Sequence, residues 1–261
     1  MARMSNSMMP QQNRLKDRLA QSKPSVGAWL MSSSPVIAEA MVSMGFHFLV
    51  IDMEHGAIDV SQSETLFALA ERYGAAPMVR ISSLDGDLAR RLMDLGAHGI
   101  IVSTVESAES FAEFSKSCFY PPEGKRGVGI SRCNQFGDRF KEYLMGFKPV
   151  LMAMVETSEG IHAASDIAAL PSVDGMFLGP YDLSTSLGCP GDFNSQPFIN
   201  AVETVRSACR ANRKALGIHQ VEPVADELHN RFDDGFSFVA YGTDILALRA
   251  GLAGVRDFIG E

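Results

Sequence analysis

The chain has 261 residues, 46% hydrophobic and 21% charged, the balance of a folded globular protein and not of a disordered one. A formal net charge of −8 argues against nucleic acid or an anionic membrane as partner, since both select a basic face. Four widely spaced cysteines with no Cys-x-x-Cys, and no apolar run long enough to span a bilayer, point to a cytoplasmic protein without a disulfide framework or a structural zinc site.

Residues 1–14 are polar and Met-rich and lack the apolar stretch of a signal peptide. Residues 1–24 read as a tail and lead-in helix, and 25–261 as one domain. The first apolar run, 26–31, reads as a strand followed by a helix over 35–44. A strand at 48–53 precedes a helix at 61–73, where Ser61 and Glu64 have the spacing of a capping box. The third strand, 77–81, leads to a helix at 85–95 that Gly96 ends, and the fourth, 99–102, to a helix at 108–117.

A Gly/Pro-rich connection, 120–137, then breaks the rhythm, and a loop of that length reads as a structured lid or a subunit contact. Strands at 150–155, 175–178, 215–218 and 236–240 follow, with helices at 158–170, 196–212, 223–231 and 245–258. The strands are continuous apolar runs, as parallel strands buried on both faces require. Eight strand-then-helix units in this length predict an α/β protein folded as a single (β/α)8 TIM barrel. A doubly wound open sheet is the runner-up, weakened by the missing Gly-x-Gly-x-x-Gly.

In such a barrel the residues just past each strand line the active site. There stand Asp52, Glu54 and His55 after the second strand, Arg80 at the end of the third, Glu156 after the fifth, and Gly179, Pro180, Tyr181 and Asp182 after the sixth. Glu156 and Asp182 lie one strand–helix unit apart. Two carboxylates sharing a cleft suit a hard, partly hydrated ion such as Mg²⁺ or Mn²⁺, though each also suits the first turn of a helix. His55 reads either as a base held by Asp52 or as a hydrogen-bonded rim histidine. Arg80, inside an apolar strand, needs an anion, either Asp52 or Glu54 or a substrate carboxylate or carbonyl oxygen. His219, ending the seventh strand, is a weaker pocket candidate. His47 falls on the opposite face, and His98, His162 and His229 read as solvated. Asp94, near the end of a helix, has no role by position alone.

Together Asp52-x-Glu54-His55-Gly56, Val79-Arg80, Leu92-Met93-Asp94-Leu95-Gly96-Ala97, Tyr120-Pro121-Pro122-x-Gly124-x-Arg126-Gly127, Val155-Glu156-Thr157 and Gly179-Pro180-x-Asp182-Leu183-Ser184-x-Ser186 resemble the HpcH/HpaI aldolase family. The order and spacing hold from Gly27 to Gly251, nearly the whole chain. The resemblance implies a barrel of the phosphoenolpyruvate/pyruvate type and a class II, metal-dependent aldolase that cleaves a 4-hydroxy-2-oxo acid to pyruvate and an aldehyde. Glu156 and Asp182 would hold the divalent ion, Mg²⁺ or Mn²⁺, with Co²⁺ or Zn²⁺ as substitutes. Gly179, Pro180 and Tyr181 would contact the 2-oxo acid, and Arg80 the oxygen that becomes an enolate. His55, oriented by Asp52 and Asp94, would move protons, with Glu54 behind it. A homo-oligomer, a hexamer or trimer of dimers with an exchanged C-terminal helix, is also implied. Two residues depart from the family pattern. Met154 stands where a glutamine is usual, and Ser103 where the customary sequence is Val-Pro. A CoA-thioester lyase of the citryl or malyl kind, or a non-catalytic 2-oxo-acid binder, is the alternative.

Overall fold

In the computed structural model residues 13–259 are described; the reading of residues 1–12 as a loose tail lies outside the described residues. The strands are β1 (Ser25–Leu30), β2 (Phe48–Asp52), β3 (Ala76–Ile81), β4 (Gly99–Val102), β5 (Val150–Val155), β6 (Gly175–Leu178), β7 (Ala215–Gln220) and β8 (Phe238–Tyr241). Each pairs in parallel with the next, and β8 closes on β1, so the sheet is a closed barrel. Side chains alternate along each strand. Trp29, Phe48, Val50, Met78, Ile101, Met152, Phe177 and Phe238 fill the interior, while Leu49, Ile51, Val79, Ile100, Leu151 and Met176 face outward into the layer shared with the helices. Both sets are buried, which explains why the strands read as unbroken apolar runs.

The helices are α1 (Arg14–Ala20), α2 (Pro35–Val42), α3 (Val60–Arg72), α4 (Gly86–Leu95), α5 (Ala108–Ser115), α6 (Phe140–Gly146), α7 (Ser158–Ala169), α8 (Pro180–Ser186), α9 (Gln196–Asn212), α10 (Ala225–Asp233), α11 (Asp244–Gly251) and α12 (Arg256–Ile259). None of the described helices is long and apolar enough to cross a membrane. α1 stops the floor of the barrel, the end where the strands begin. Its Leu15 and Leu19 join the interior cluster. Asn13 Nδ2 donates to the carbonyls of His98 and Lys148, and Lys16 Nζ lies 2.6 Å from Asp174 Oδ1.

Several local expectations need correction. α3 starts one residue earlier than read, because Asp59 is its cap; Asp59 takes the Ser61 and Gln62 N–H groups and Gln62 completes the box, so Ser61 and Glu64 do not form it. α4 is capped by Asp85 and closed by Gly96 at φ 114°, as expected. The segment after α5 cannot be a lid over the strand ends within this chain, because it joins the end of a helix to the start of β5, both at the floor. It carries a 3-10 turn (Arg132–Gly137) and α6, packed around Arg126. That guanidinium is buried, 4.6 Å from the Tyr120 ring and 2.6 Å from Asp94 Oδ1. His98 is not solvated either: its Nε2 lies 3.0 Å from Glu71 and its ring meets Phe147 edge-on. The single helix read over 245–258 is α11, a 3-10 turn and α12.

Candidate active site

The register of the barrel sets Asp52 beside Arg80 on neighbouring strands. Their side chains meet in the interior, where Arg80 Nε donates to Asp52 Oδ1 at 2.9 Å and Nη2 to Oδ2. Asp52 also accepts the Trp29 indole N–H at 3.1 Å and the backbone N–H groups of Glu54 and His55 at 3.0 and 3.1 Å. Burial alone would raise its pKa; the arginine, the His55 N–H and the indole outweigh that and hold the carboxyl below its ordinary value. With both oxygens so occupied, Asp52 orients His55 through the peptide and not through the imidazole.

Arg80 therefore has the structural partners foreseen for it. Its third nitrogen, Nη1, is 3.3 Å from Glu54 Oε2, and the guanidinium sits 4.9 Å from the centre of the Trp29 ring. Glu54 Oε2 in turn accepts the Ser103 hydroxyl at 2.5 Å. His219 stacks on Trp29 at 4.4 Å, with Nε2 3.2 Å from the Gly242 carbonyl. Burial pushes its pKa down to about 4. It packs against Trp29 and is not among the residues that line the cavity.

Above these residues a cavity of about 350 Å³ opens at the carboxyl ends of the strands, lined by Glu54, His55, Thr104, Glu156, Thr157, Asp182, Thr185 and Ser186. Glu156 is 6% exposed. Its Oε1 accepts the Thr104 N–H at 2.7 Å and the Thr104 hydroxyl at 2.8 Å. Burial raises its pKa; the Thr104 bonds oppose this, and the charges of Asp182 and Glu54 add to it, so the carboxyl stands above its usual value. Asp182 is in the first turn of α8, whose N-terminus begins at Gly179 with Pro180 as its first residue. The helix-first-turn and cleft readings of Asp182 thus hold together. An added Cβ at Gly179 would stand 2.5 Å from Glu156 Oε2, so only glycine leaves that oxygen room.

Among the described residues no group of three or more His, Cys, Asp or Glu side chains forms a ready-made metal cluster. The donor set nonetheless fits a hard divalent ion. Glu156 Oε2 has no hydrogen-bond donor among the described residues, the charges of Asp182 and Glu54 act on Glu156 across the cavity, and Arg80 is already taken up by Asp52 and Glu54.

Asp94 is not in this cavity. It ends α4 at the floor and pairs there with Arg126, so within one chain it does not meet His55. Tyr181 turns outward, its ring edge-on to Phe193 at 5.2 Å, and can address the cavity only through its backbone. Met154 packs in the interior with Met152 and Phe177. Thr104 and Thr185 were not singled out by the sequence, whereas Thr157 and Ser186 entered only as positions of the family pattern, with no role of their own. In the structure Thr157 caps α7.

Comparison with known proteins finds relatives over nearly the whole barrel. The family model described as HpcH/HpaI aldolase/citrate lyase matches residues 25–250. The chain is 31% identical to the 5-keto-4-deoxy-D-glucarate aldolase of Salmonella paratyphi A, over 97% of this chain and 98% of that one. Two crystal structures superpose closely. An HpcH/HpaI aldolase/citrate lyase family protein from Burkholderia cenocepacia has a TM-score of 0.87 at 28% identity, covering 95% of this chain and all of the other. An HpcH/HpaI aldolase from Desulfitobacterium hafniense gives 0.85 at 27%, covering 95% and 96%.

Proposed function

Because the chain belongs to the HpcH/HpaI aldolase/citrate lyase family, we propose that it is a carbon–carbon lyase that cleaves a 4-hydroxy-2-oxo acid into pyruvate and an aldehyde. The observation that carries this reading is the convergence of Glu54, His55, Glu156 and Asp182 on one cavity at the strand ends, directly above the Asp52–Arg80 pair.

In the cleavage direction the C3–C4 bond breaks. Its electron pair passes to the 2-oxo acid half as an enolate, the C4 hydroxyl gives up its proton as the aldehyde forms, and a proton returns to C3. His55, on the cavity wall with its backbone fixed by Asp52, takes the hydroxyl proton and delivers it to C3. Arg80 is held rigidly by Asp52 and Glu54, so its charge is in place before negative charge develops on the substrate oxygen. Glu156 and Asp182 would hold a divalent ion such as Mg²⁺ or Mn²⁺, which when bound supplies Lewis acidity to the ketone. Gly179 keeps the Glu156 carboxylate clear of the α8 turn. The N–H groups at the start of α8 offer donors for the acid's carboxylate.

The reading extends to assembly. Leu248, Leu252 and Phe258, from α11 onward, are 58%, 60% and 89% exposed, an apolar face suited to a second copy of the chain in a homo-oligomer.

The test is exchange of the C3 protons of pyruvate for deuterium, followed by NMR with and without Mn²⁺. Exchange should need the ion and should vanish in Glu156→Ala, and a panel of 4-hydroxy-2-oxo acids should release pyruvate. Exchange indifferent to a chelator would overturn the assignment.

A further inference from the structure

Thr104 has a φ of 53°, a left-handed backbone that β-branched residues rarely adopt. Such a conformation persists where its surroundings over-determine it, and these places cluster at functional sites. What fixes Thr104 is on the page. It follows β4, and both its N–H and its hydroxyl donate to the same oxygen, Glu156 Oε1, at 2.7 and 2.8 Å. The other oxygen, Oε2, takes no hydrogen bond among the described residues, faces Gly179 and opens on the cavity that Asp182 lines from the far side. One oxygen is anchored and one is presented. The residue before it acts on the next acid: the Ser103 hydroxyl holds Glu54 Oε2. A single turn between β4 and α5 thereby sets two of the three cavity carboxylates.

We propose that Thr104 is a positioning residue that fixes the rotamer of Glu156, so that Oε2 and not Oε1 is the atom offered to a divalent ion. This rests on the reading of Glu156 and Asp182 as the protein ligands of that ion. Without the hydroxyl bond, Oε1 is held by the Thr104 N–H alone, the Glu156 carboxylate has more freedom about its terminal torsion, and ion binding must then order it. Partners of this kind, one step removed from a metal, are typically worth about 10- to 100-fold in metal affinity.

The experiment is a titration of the full-length, metal-stripped protein with Mn²⁺, reading the free ion by electron paramagnetic resonance. Thr104→Val deletes the hydroxyl at nearly constant shape. Thr104→Gly deletes it while relieving the backbone, so its folding is not in doubt. Both should bind Mn²⁺ about 10- to 100-fold more weakly than the parent. Thr104→Ser should stay close to parental affinity, and Ser103→Ala, which releases only Glu54, should also stay close. The melting midpoint of Thr104→Gly in chelator should not fall. Parental affinity in both Thr104→Val and Thr104→Gly, with binding lost in Glu156→Gln, would overturn the positioning role and leave the ligand assignment standing. Parental affinity in Glu156→Gln would instead remove Glu156 as a ligand, and the role of Thr104 with it.

Discussion

At the scale of single residues, Asp52 and Glu156 are two buried carboxylates with opposite fates. Asp52 is saturated by donors, and its pKa is held down against burial chiefly by Arg80. Its removal leaves a buried guanidinium short of its main partner. Asp52→Asn should therefore cost about 3–5 kcal/mol in chemical unfolding, the usual price of breaking a buried ion pair. Glu156 has its pKa raised by burial and by its acidic neighbours. A carboxyl more easily protonated in the folded state than in the unfolded one stabilises the fold at low pH, and that contribution is lost as pH rises from the ordinary carboxylate value through the raised one. The metal-free protein should thus lose stability over that window, and Glu156→Gln should flatten the loss. Melting curves in chelator between pH 4 and 7 check both. Added Mn²⁺ should raise the neutral-pH midpoint of the parent and leave that of Glu156→Gln unmoved.

At the scale of elements, the β6–α8 junction is the most exacting part of the site. α8 brings Asp182 to the cavity, and Gly179 lets its first turn approach Glu156 so closely that a methyl group would meet Oε2 at 2.5 Å. Gly179→Ala should displace the carboxylate and cut turnover by about 100-fold, the scale of an ångström-level misplacement, with only a small shift in melting point. A drop in stability without loss of turnover would contradict this. The eight strands could be read in the chain because both faces of each are buried, so hydrophobicity marks them without ambiguity. The start of α3 was less legible, since Asp59 and Ser61 are both good caps two residues apart and only the chain direction decides. α8 and α6 were missed because seven residues are too few to show a helical period. Of the residues the structure brings together at the cavity and beside it, the strand-end rule named Asp52, Glu54, His55, Arg80, Glu156 and Asp182. It failed for Thr104, because nothing in a threonine's identity announces a left-handed backbone, and its bonding partner lies 52 positions away. Asp94 followed from the family pattern alone, and its place at the end of α4 puts it at the floor of its own barrel.

At the scale of the molecule, the cavity and the last described helices present surfaces of different kinds. The acidic cavity opens at one end, while the described end of the chain exposes Leu248, Leu252, Val255, Phe258 and Ile259. Exposed apolar side chains this close together in the chain suit a strip that a partner covers. If that strip is covered by a second copy, Leu248→Asp with Leu252→Asp should shift the protein by light scattering to the mass of a single chain. The cavity residues, borne on other elements, should keep their Mn²⁺ affinity. An unchanged mass would show that the strip is not the contact.

The plug at the floor has a consequence for how the chain comes together. α1 is the first described helix to leave the ribosome, yet its anchors are the carbonyls of His98, Lys148 and Pro149 and the carboxylate of Asp174, and Leu15 and Leu19 rest among side chains as distant in sequence as Phe238. It has no seat until the strands have closed into a ring. The segment synthesised early is the one docked late, a cork fitted after the bottle is blown. Amide exchange during refolding should accordingly protect β2 and β3 before it protects Leu15 to Leu19.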